Sequence, residues 1–281
     1  MISFAKISDI PALTTMWALC FADTPEFIQF YFEKIFRLEE TPVYFKEGVP
    51  VAALQLIPYS IKLNNSIYSV GYISGAMTHP NHRKQGLMKQ LLLFSFEEMK
   101  RRNMPLSFLV PQEKWLFNFY EKFGYRRAFP KTIEAIPVSG NDSSGVVYES
   151  PRDFSTLYPF YCSFLSRQEN AVLKTPEQFE IFLEDLCMEG GGVFTLDSGE
   201  RGIAFAVPEV DSVLIKELFY DCETTKQRIL CAIQNSFQQK TLRCVFRHSG
   251  EKNQSFGMIK ILDETFFPTG LPDIYMSMML D

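Results

Sequence analysis

The residues best placed to do chemistry lie at one junction. A strand-like run, GYISGAMTHP (71–80), leads through Asn81, His82, Arg83, Lys84, Gln85 and Gly86 into a helix-like run that opens LMKQLLL. The first turn of a helix presents backbone N–H groups with no partner and a partial positive charge, so it favours anions and phosphates above all. Gly86 lets a ligand approach the backbone closely. Arg83 and Lys84 add formal charge at a helix end where a cation costs about 0.3–1 kcal/mol unless an anion is bound. Taken alone, the junction fits an ordinary turn with solvated basic residues equally well.

The elements around it are readable from period and punctuation. Asp9 or Ser8 is expected to cap a helix that starts near Pro11, and a second helix should run from about Pro25 to Arg37. The period then shortens. Runs at 43–46, 51–61 and 67–78 read as an antiparallel meander, with turns at Glu47-Gly48 and Asn64-Asn65-Ser66. Leu87, Met88, Leu91, Leu92, Phe96 and Met99 trace one helix face, which Asn103 and Pro105 should end. LSFLV (106–110) reads as a buried strand and EKWLFNFYEKFGY as a helix stopped by Gly124. Further strand is expected over 126–138.

Two motifs in register carry a resemblance. Arg83, Gly86 and the position of Met88, followed some thirty residues later by Phe119-Tyr120-Glu121-Lys122-Phe123-Gly124-Tyr125, resemble the GNAT acetyltransferases. The order helices, three-strand meander, helix, strand, helix fits as well, over residues 1–138. The resemblance implies an α/β (α+β) GNAT fold, a mixed, mostly antiparallel sheet flanked by helices. It implies acetyl-CoA as co-substrate and direct attack of an amine on its thioester. The pyrophosphate would sit on the loop formed by Arg83, Lys84, Gln85, Gly86, Leu87, Met88 and Lys89. The backbone of Ala76, Met77 and Thr78 would pair with the pantetheine arm. Tyr120 would be the general acid for the leaving thiolate, against the plainer reading of a core tyrosine. Met88 departs from the Gly or Ala frequent at its position. The R-x-x-G-L-M form, His82 and a doubled second half look more like the bacterial Eis-like ("enhanced intracellular survival") branch. That branch usually carries a further sterol-carrier-like domain, for which this sequence is short. There the C-terminal carboxylate enters the site, which would be Asp281 here. Glu26, Glu33 and Glu113 are other acidic candidates for a base. Phe27, Phe30, Tyr31 and Phe36 lie where such proteins build the acceptor wall, although packing accounts for at least half of them.

A polar stretch, SGNDSSG (139–145), reads as a linker between a first domain at 1–138 and a second at 146–281. The second half repeats the element order: helices near 152–165 and 176–187, strands VFTLD, GIAFAV and SVLIKELFY, a helix with Ile229, Ile233 and Phe237 on one face, and the strand TLRCVF. Its matching junction, YDCETTKQR, has no glycine, and Asp221 and Glu223 would repel phosphate. A degenerate GNAT-like domain without a phosphate loop is expected, and one acetyl-CoA site per chain. The second half is expected to frame the acceptor pocket or a homo-oligomer contact.

Composition narrows the classes. With 28 Lys plus Arg against 33 Asp plus Glu, the net charge of −5 argues against a duplex nucleic-acid partner and suits a cationic small-molecule or peptide amine. The six cysteines include no C-x-x-C pair and there are three histidines, so no zinc site is expected and the thiols read as reduced side chains. Lys6 and Asp9 interrupt the opening residues where a secretory signal would be apolar, and no run approaches the roughly 20 apolar residues of a membrane span. A cytoplasmic protein with no membrane partner is expected. Aminoacyl transfer by a tandem GNAT protein, or a non-catalytic acyl-CoA sensor, are the alternatives that remain.

Overall fold

The structure, a computed structural model, describes residues 1–64, 66–149, 154–247, 254–267 and 271–277. In chain order the main elements are β1 (Ile2–Phe4), α1 (Ile10–Cys20), α2 (Pro25–Lys34), β2 (Pro42–Lys46), β3 (Val49–Leu63), β4 (Ser66–Thr78), α3 (Leu87–Arg101), β5 (Leu106–Leu109), α4 (Lys114–Glu121) and β6 (Arg126–Ile136). There follow β7 (Val147–Glu149), α5 (Phe154–Leu165), β8 (Ala171–Leu173), α6 (Pro176–Met188), β9 (Gly192–Ser198), β10 (Glu200–Pro208), β11 (Val213–Tyr220), α7 (Glu223–Phe237), β12 (Leu242–Phe246) and β13 (Gln254–Ile261). Local chemistry sets several boundaries. Thr24 accepts the Phe27 N–H at the start of α2, and Thr175 and Gln178 form a reciprocal capping box on α6. At α1 the expected cap differs: Asp9 holds the N-cap position, but its carboxylate accepts from the Lys6 N–H (2.8 Å) and makes no cap bond to the helix. Among the described residues no helix is long and apolar enough to cross a membrane.

The chain divides into two compact units. The first is built from residues within 1–61, 66–128 and 256–272, and the second from residues within 62–65, 129–255 and 273–281. In the first, the strand order is β1-β2-β3-β4-β5-β13. β1 to β4 supply antiparallel neighbours, β4 and β5 run parallel, and β13 closes antiparallel on β5. The second reads β7-β9-β10-β11-β12-β6, with β11 and β12 the parallel pair joined through α7. Each unit thus repeats one plan: two helices, a meander, a crossover helix and a parallel strand. The single cut expected at 139–145 differs from this division. β6 pairs with β12 (Ile136 with Leu242), so residues 129–138 pack in the second unit, while β13 pairs with β5 (Met258 with Leu109) and belongs to the first.

In the first unit both faces of the sheet are covered, which explains the continuous apolar run of β3. Ala52, Leu54 and Leu56 pack with Leu91, Leu92, Phe96 and Met99 of α3 in one cluster, whereas Val43, Ala53 and Met77 pack with Leu13, Met16 and Trp17 of α1 in another. Burying each such leucine stabilises the fold by about 1.5–3 kcal/mol. The C-terminal end of α3 is tied down by charge. Glu98 accepts from Arg101 (2.7 and 2.8 Å) and from Arg102 (2.6 Å), and Arg102 also pairs with Glu40 and donates to Glu39 O (3.0 Å).

The hydrogen bonds from Arg101, then those from Arg102, hold the Glu98 carboxyl down at about 2, while burial raises that of Glu40. A depressed carboxylate adds stability above its ordinary value and loses it as the pH falls through the folded one. The stability gap between the protein and Glu98→Gln should therefore be widest near neutrality and close as the pH falls from 4.5 to about 2 in urea titrations. A gap that stays constant through that window would contradict this assignment.

Candidate active site

The first unit brings the two sequence motifs together. β4 and β5 pair in parallel from Val70 with Leu106 to Ile73 with Leu109, and there the pairing stops. β4 continues to Thr78, so Ala76, Met77 and Thr78 run on without a β5 partner. The divergence has a local cause. Gly75 sits at φ +54° inside the strand, a left-handed conformation typical of a bulge, and a Cβ there would lie 2.6 Å from the Trp17 ring. Trp17 is fixed in turn by its Nε1–H to Asp23 (2.8 Å) and by the Tyr31 ring, 4.3 Å away.

Beyond Thr78 the chain makes a 3-10 turn at Pro80–His82 and enters the loop. Lys84 (φ +61°) and Gly86 (φ +75°) are both left-handed and flank Gln85. Alternation of this kind turns successive N–H groups toward a common concavity, a nest suited to anions. Among the described residues the backbone amides from Lys84 to Lys89 meet no backbone acceptor, and the next to do so is Gln90, which donates to Gly86 O (3.2 Å). A Cβ on Gly86 would meet nothing within 4 Å, so the loop faces open space on that side. The donor set and the space fit a pyrophosphate. The cations play different parts. Lys84 and Lys89 are exposed, whereas Arg83 turns back, its Nε–H donating to Thr78 O (3.2 Å) and its Nη2 lying 3.7 Å from the Cys20 sulfur. Lys46, from the end of β2, donates to the Gln85 side chain and was not singled out by the sequence.

Tyr120 lies on α4 in the same apolar cluster as Ile73, Leu87 and Leu109, with Ala76 and Met88 packed against it. This cluster therefore joins the end of the parallel pair, the start of α3 and the FYEKFGY motif. The side chain is 6% exposed, and burial pushes its phenol up to about 12, so the proton stays on at neutral pH. Among the described residues nothing hydrogen bonds to the Tyr120 hydroxyl, which leaves it available. Tyr125 differs: its hydroxyl is 2.6 Å from Ser107 Oγ on β5 and fastens the motif to the sheet. The acidic candidates are not drawn in. Glu26, Glu33 and Glu113 are exposed; Glu33 accepts from Gln29 (2.8 Å) and Glu113 from the Trp115 indole. Asp281 lies outside the described residues. Of the aromatic set, Phe30, Tyr31 and Phe36 are buried and Phe27 half-buried. The glycine inside YISGAMT was the one sequence signal that could have located the bulge.

In the second unit the equivalent places are filled by its own side chains. Around the start of α7, Glu200 accepts from Thr225 (2.9 Å), and Asp221 accepts from Arg167 (2.6 Å) and the Arg201 N–H (3.0 Å). Carboxylates thus occupy the positive end of that helix. The β11–β12 pairing ends at Ile215 with Cys244, and just past it the Arg247 guanidinium donates to Lys216 O (2.7 Å).

The model of an acetyltransferase (GNAT) domain matches residues 1–128. Among solved structures, a probable N-acyltransferase of Enterococcus faecalis, described as a conserved protein of unknown function, is similar with a TM-score of 0.79 at 14% identity, over 93% of this chain and 72% of the other. A GCN5-related N-acetyltransferase from Anabaena variabilis gives 0.75 at 15% identity, over 94% and 73%. Eis1 from Mycobacterium abscessus gives 0.69 at 11%, over 94% and 74%. At these identities the likeness is one of fold. No protein of curated function matches the sequence. The likeness over residues 1–128 is thus to a GNAT acetyltransferase domain, and the fold of the chain is that of GNAT structures.

Proposed function

We propose that the first unit transfers an acetyl group from acetyl-CoA to a primary amine. The observation that carries this reading is the run of amides from Lys84 to Lys89 that meet no backbone acceptor among the described residues, beside a strand that has parted from its neighbour. Acetyl-CoA would supply the activated thioester. The loop amides would hold its pyrophosphate, with Lys84 and Lys89 adding charge, and the free edge of Ala76, Met77 and Thr78 would pair with the pantetheine arm. The amine attacks the thioester carbonyl directly, and Tyr120 donates its phenolic proton to the departing sulfur. Its raised pKa keeps the proton on at neutral pH, and among the described residues its hydroxyl has no hydrogen-bond partner, which suits a donor. The proton of the amine goes to the Asp281 carboxylate or to water. The acceptor is a small-molecule or peptide amine. The Eis-like branch belongs to this reading, supported by R-x-x-G-L-M, by His82 and by the fold shared with Eis1.

The direct test is calorimetry with acetyl-CoA, followed by a free-thiol release assay over a panel of aminoglycosides, polyamines and lysine peptides. One binding event per chain and thiol release with at least one amine are expected. Two events would contradict the filled site of the second unit. Binding without release on any amine would favour an acyl-CoA sensor, and no binding of any acyl-CoA would end the acetyl-transfer reading.

Two tyrosine variants separate chemistry from support. Tyr120→Phe should lower turnover by about 10–100-fold, as loss of a general acid does, with little change in unfolding free energy. Tyr125→Phe strands the buried Ser107 hydroxyl and should cost about 1–2 kcal/mol of stability with the smaller effect on turnover. Unchanged turnover in Tyr120→Phe would remove that residue from the mechanism.

A further inference from the structure

The bulge in β4 is backed by a buried polar chain that the acetyl-transfer chemistry does not use. Tyr31 of α2 donates its hydroxyl hydrogen to Gln55 Oε1 of β3 (3.1 Å), and its oxygen is 3.0 Å from Ser74 Oγ of β4. Because the Tyr31 hydrogen goes to Gln55, the Ser74 hydroxyl must be the donor in the second bond. Tyr31 and Gln55 are 4% and 3% exposed, and Ser74 is half-buried. Burial holds the Tyr31 phenol well above its usual range, so the chain keeps this polarity at any ordinary pH. Ser74 occupies a particular place. It follows the last residue of β4 that pairs with β5, Ile73, and precedes the left-handed Gly75. The Trp17 ring closes over Gly75 and meets the Tyr31 ring at a tilt of 39°, with centroids 4.3 Å apart. A polar chain in a core gives little net stability compared with apolar groups of the same shape, but it fixes one geometry.

We propose that Tyr31 is a positioning residue for the acyl-CoA arm, holding through Ser74 the bulge that turns the free edge of Ala76–Thr78 toward the ligand. This rests on the acetyl-CoA reading above. It separates the two ends of the ligand: the loop at 83–89 takes the nucleotide phosphates, and the bulge governs the pantetheine arm. Tyr31 itself touches neither.

The test compares acetyl-CoA with adenosine 3′,5′-bisphosphate, which carries phosphates but no arm, by calorimetry on the full chain. Tyr31→Phe and Ser74→Ala should each raise the Kd for acetyl-CoA about tenfold, the scale of one lost hydrogen bond at a constrained site, and leave that for the bisphosphate within about twofold. Ser74→Thr, which keeps the hydroxyl, should restore wild-type binding, and the double variant should be no weaker than either single one. Equal loss for both ligands would mark a merely structural role and overturn the proposal, as would unchanged acetyl-CoA binding. If Tyr31→Phe does not fold, Ser74→Ala at its half-buried position decides the matter alone. Wild-type protein that binds neither ligand would overturn the acetyl-CoA reading and this inference with it, an outcome distinct from a failure confined to the variants.

Discussion

Two parallel strands that stay paired leave no backbone for a ligand, and the first unit depends on their ceasing to pair. β4 leaves β5 after Ile73 and Leu109, at the point where Gly75 adopts a conformation open chiefly to glycine and Trp17 occupies the space a side chain would need. The free edge of Ala76–Thr78, the loop that follows and the start of α3 all take their place from that parting. α3 in turn is fixed by its apolar face against β3 and β4, and at its far end by the Glu98–Arg102–Glu40 cluster. The start of the helix is therefore anchored from behind, while among the described residues its first amides meet no backbone acceptor.

The second unit shows what the same plan becomes when these conditions are not met. It keeps the meander, the crossover helix and the parallel pair β11–β12. Its helix N-terminus is surrounded by Asp221, Glu200 and Glu223, and the place past Ile215 is taken by the Arg247 guanidinium. The backbone plan is doubled, but a few side chains set the two helix starts apart: amides without a backbone acceptor in the first unit, carboxylates in the second.

Much of this was legible from sequence. Helix faces such as Leu87–Met99, turn residues such as Glu47-Gly48, and the glycine loop are local signals, and the elements fall within a few residues of where they were expected. The missing parts are those set by distant partners. Period identifies β6 as a strand but not which sheet receives it, so a single cut at the polar linker left it with the first unit, whereas it pairs with β12 in the second. Asp9 met Lys6 first and did not cap α1. The Tyr31–Gln55–Ser74 chain joins three elements that no spacing rule connects, and Tyr31 read as one member of an aromatic wall. Tyr120 was singled out because its motif is contiguous, whereas Lys46 reaches Gln85 across 39 residues.

In the acetyl-transfer reading the first unit, and not its counterpart in the second, receives the acyl-CoA. Hydrogen exchange with and without saturating acetyl-CoA, followed peptide by peptide, measures this most directly. Slower exchange is expected over residues 76–90, where the free strand edge lies and where the amides of 84–89 meet no backbone acceptor among the described residues, and unchanged exchange over 221–230. Protection at the start of α7, or none at 76–90 under saturating ligand, would contradict it.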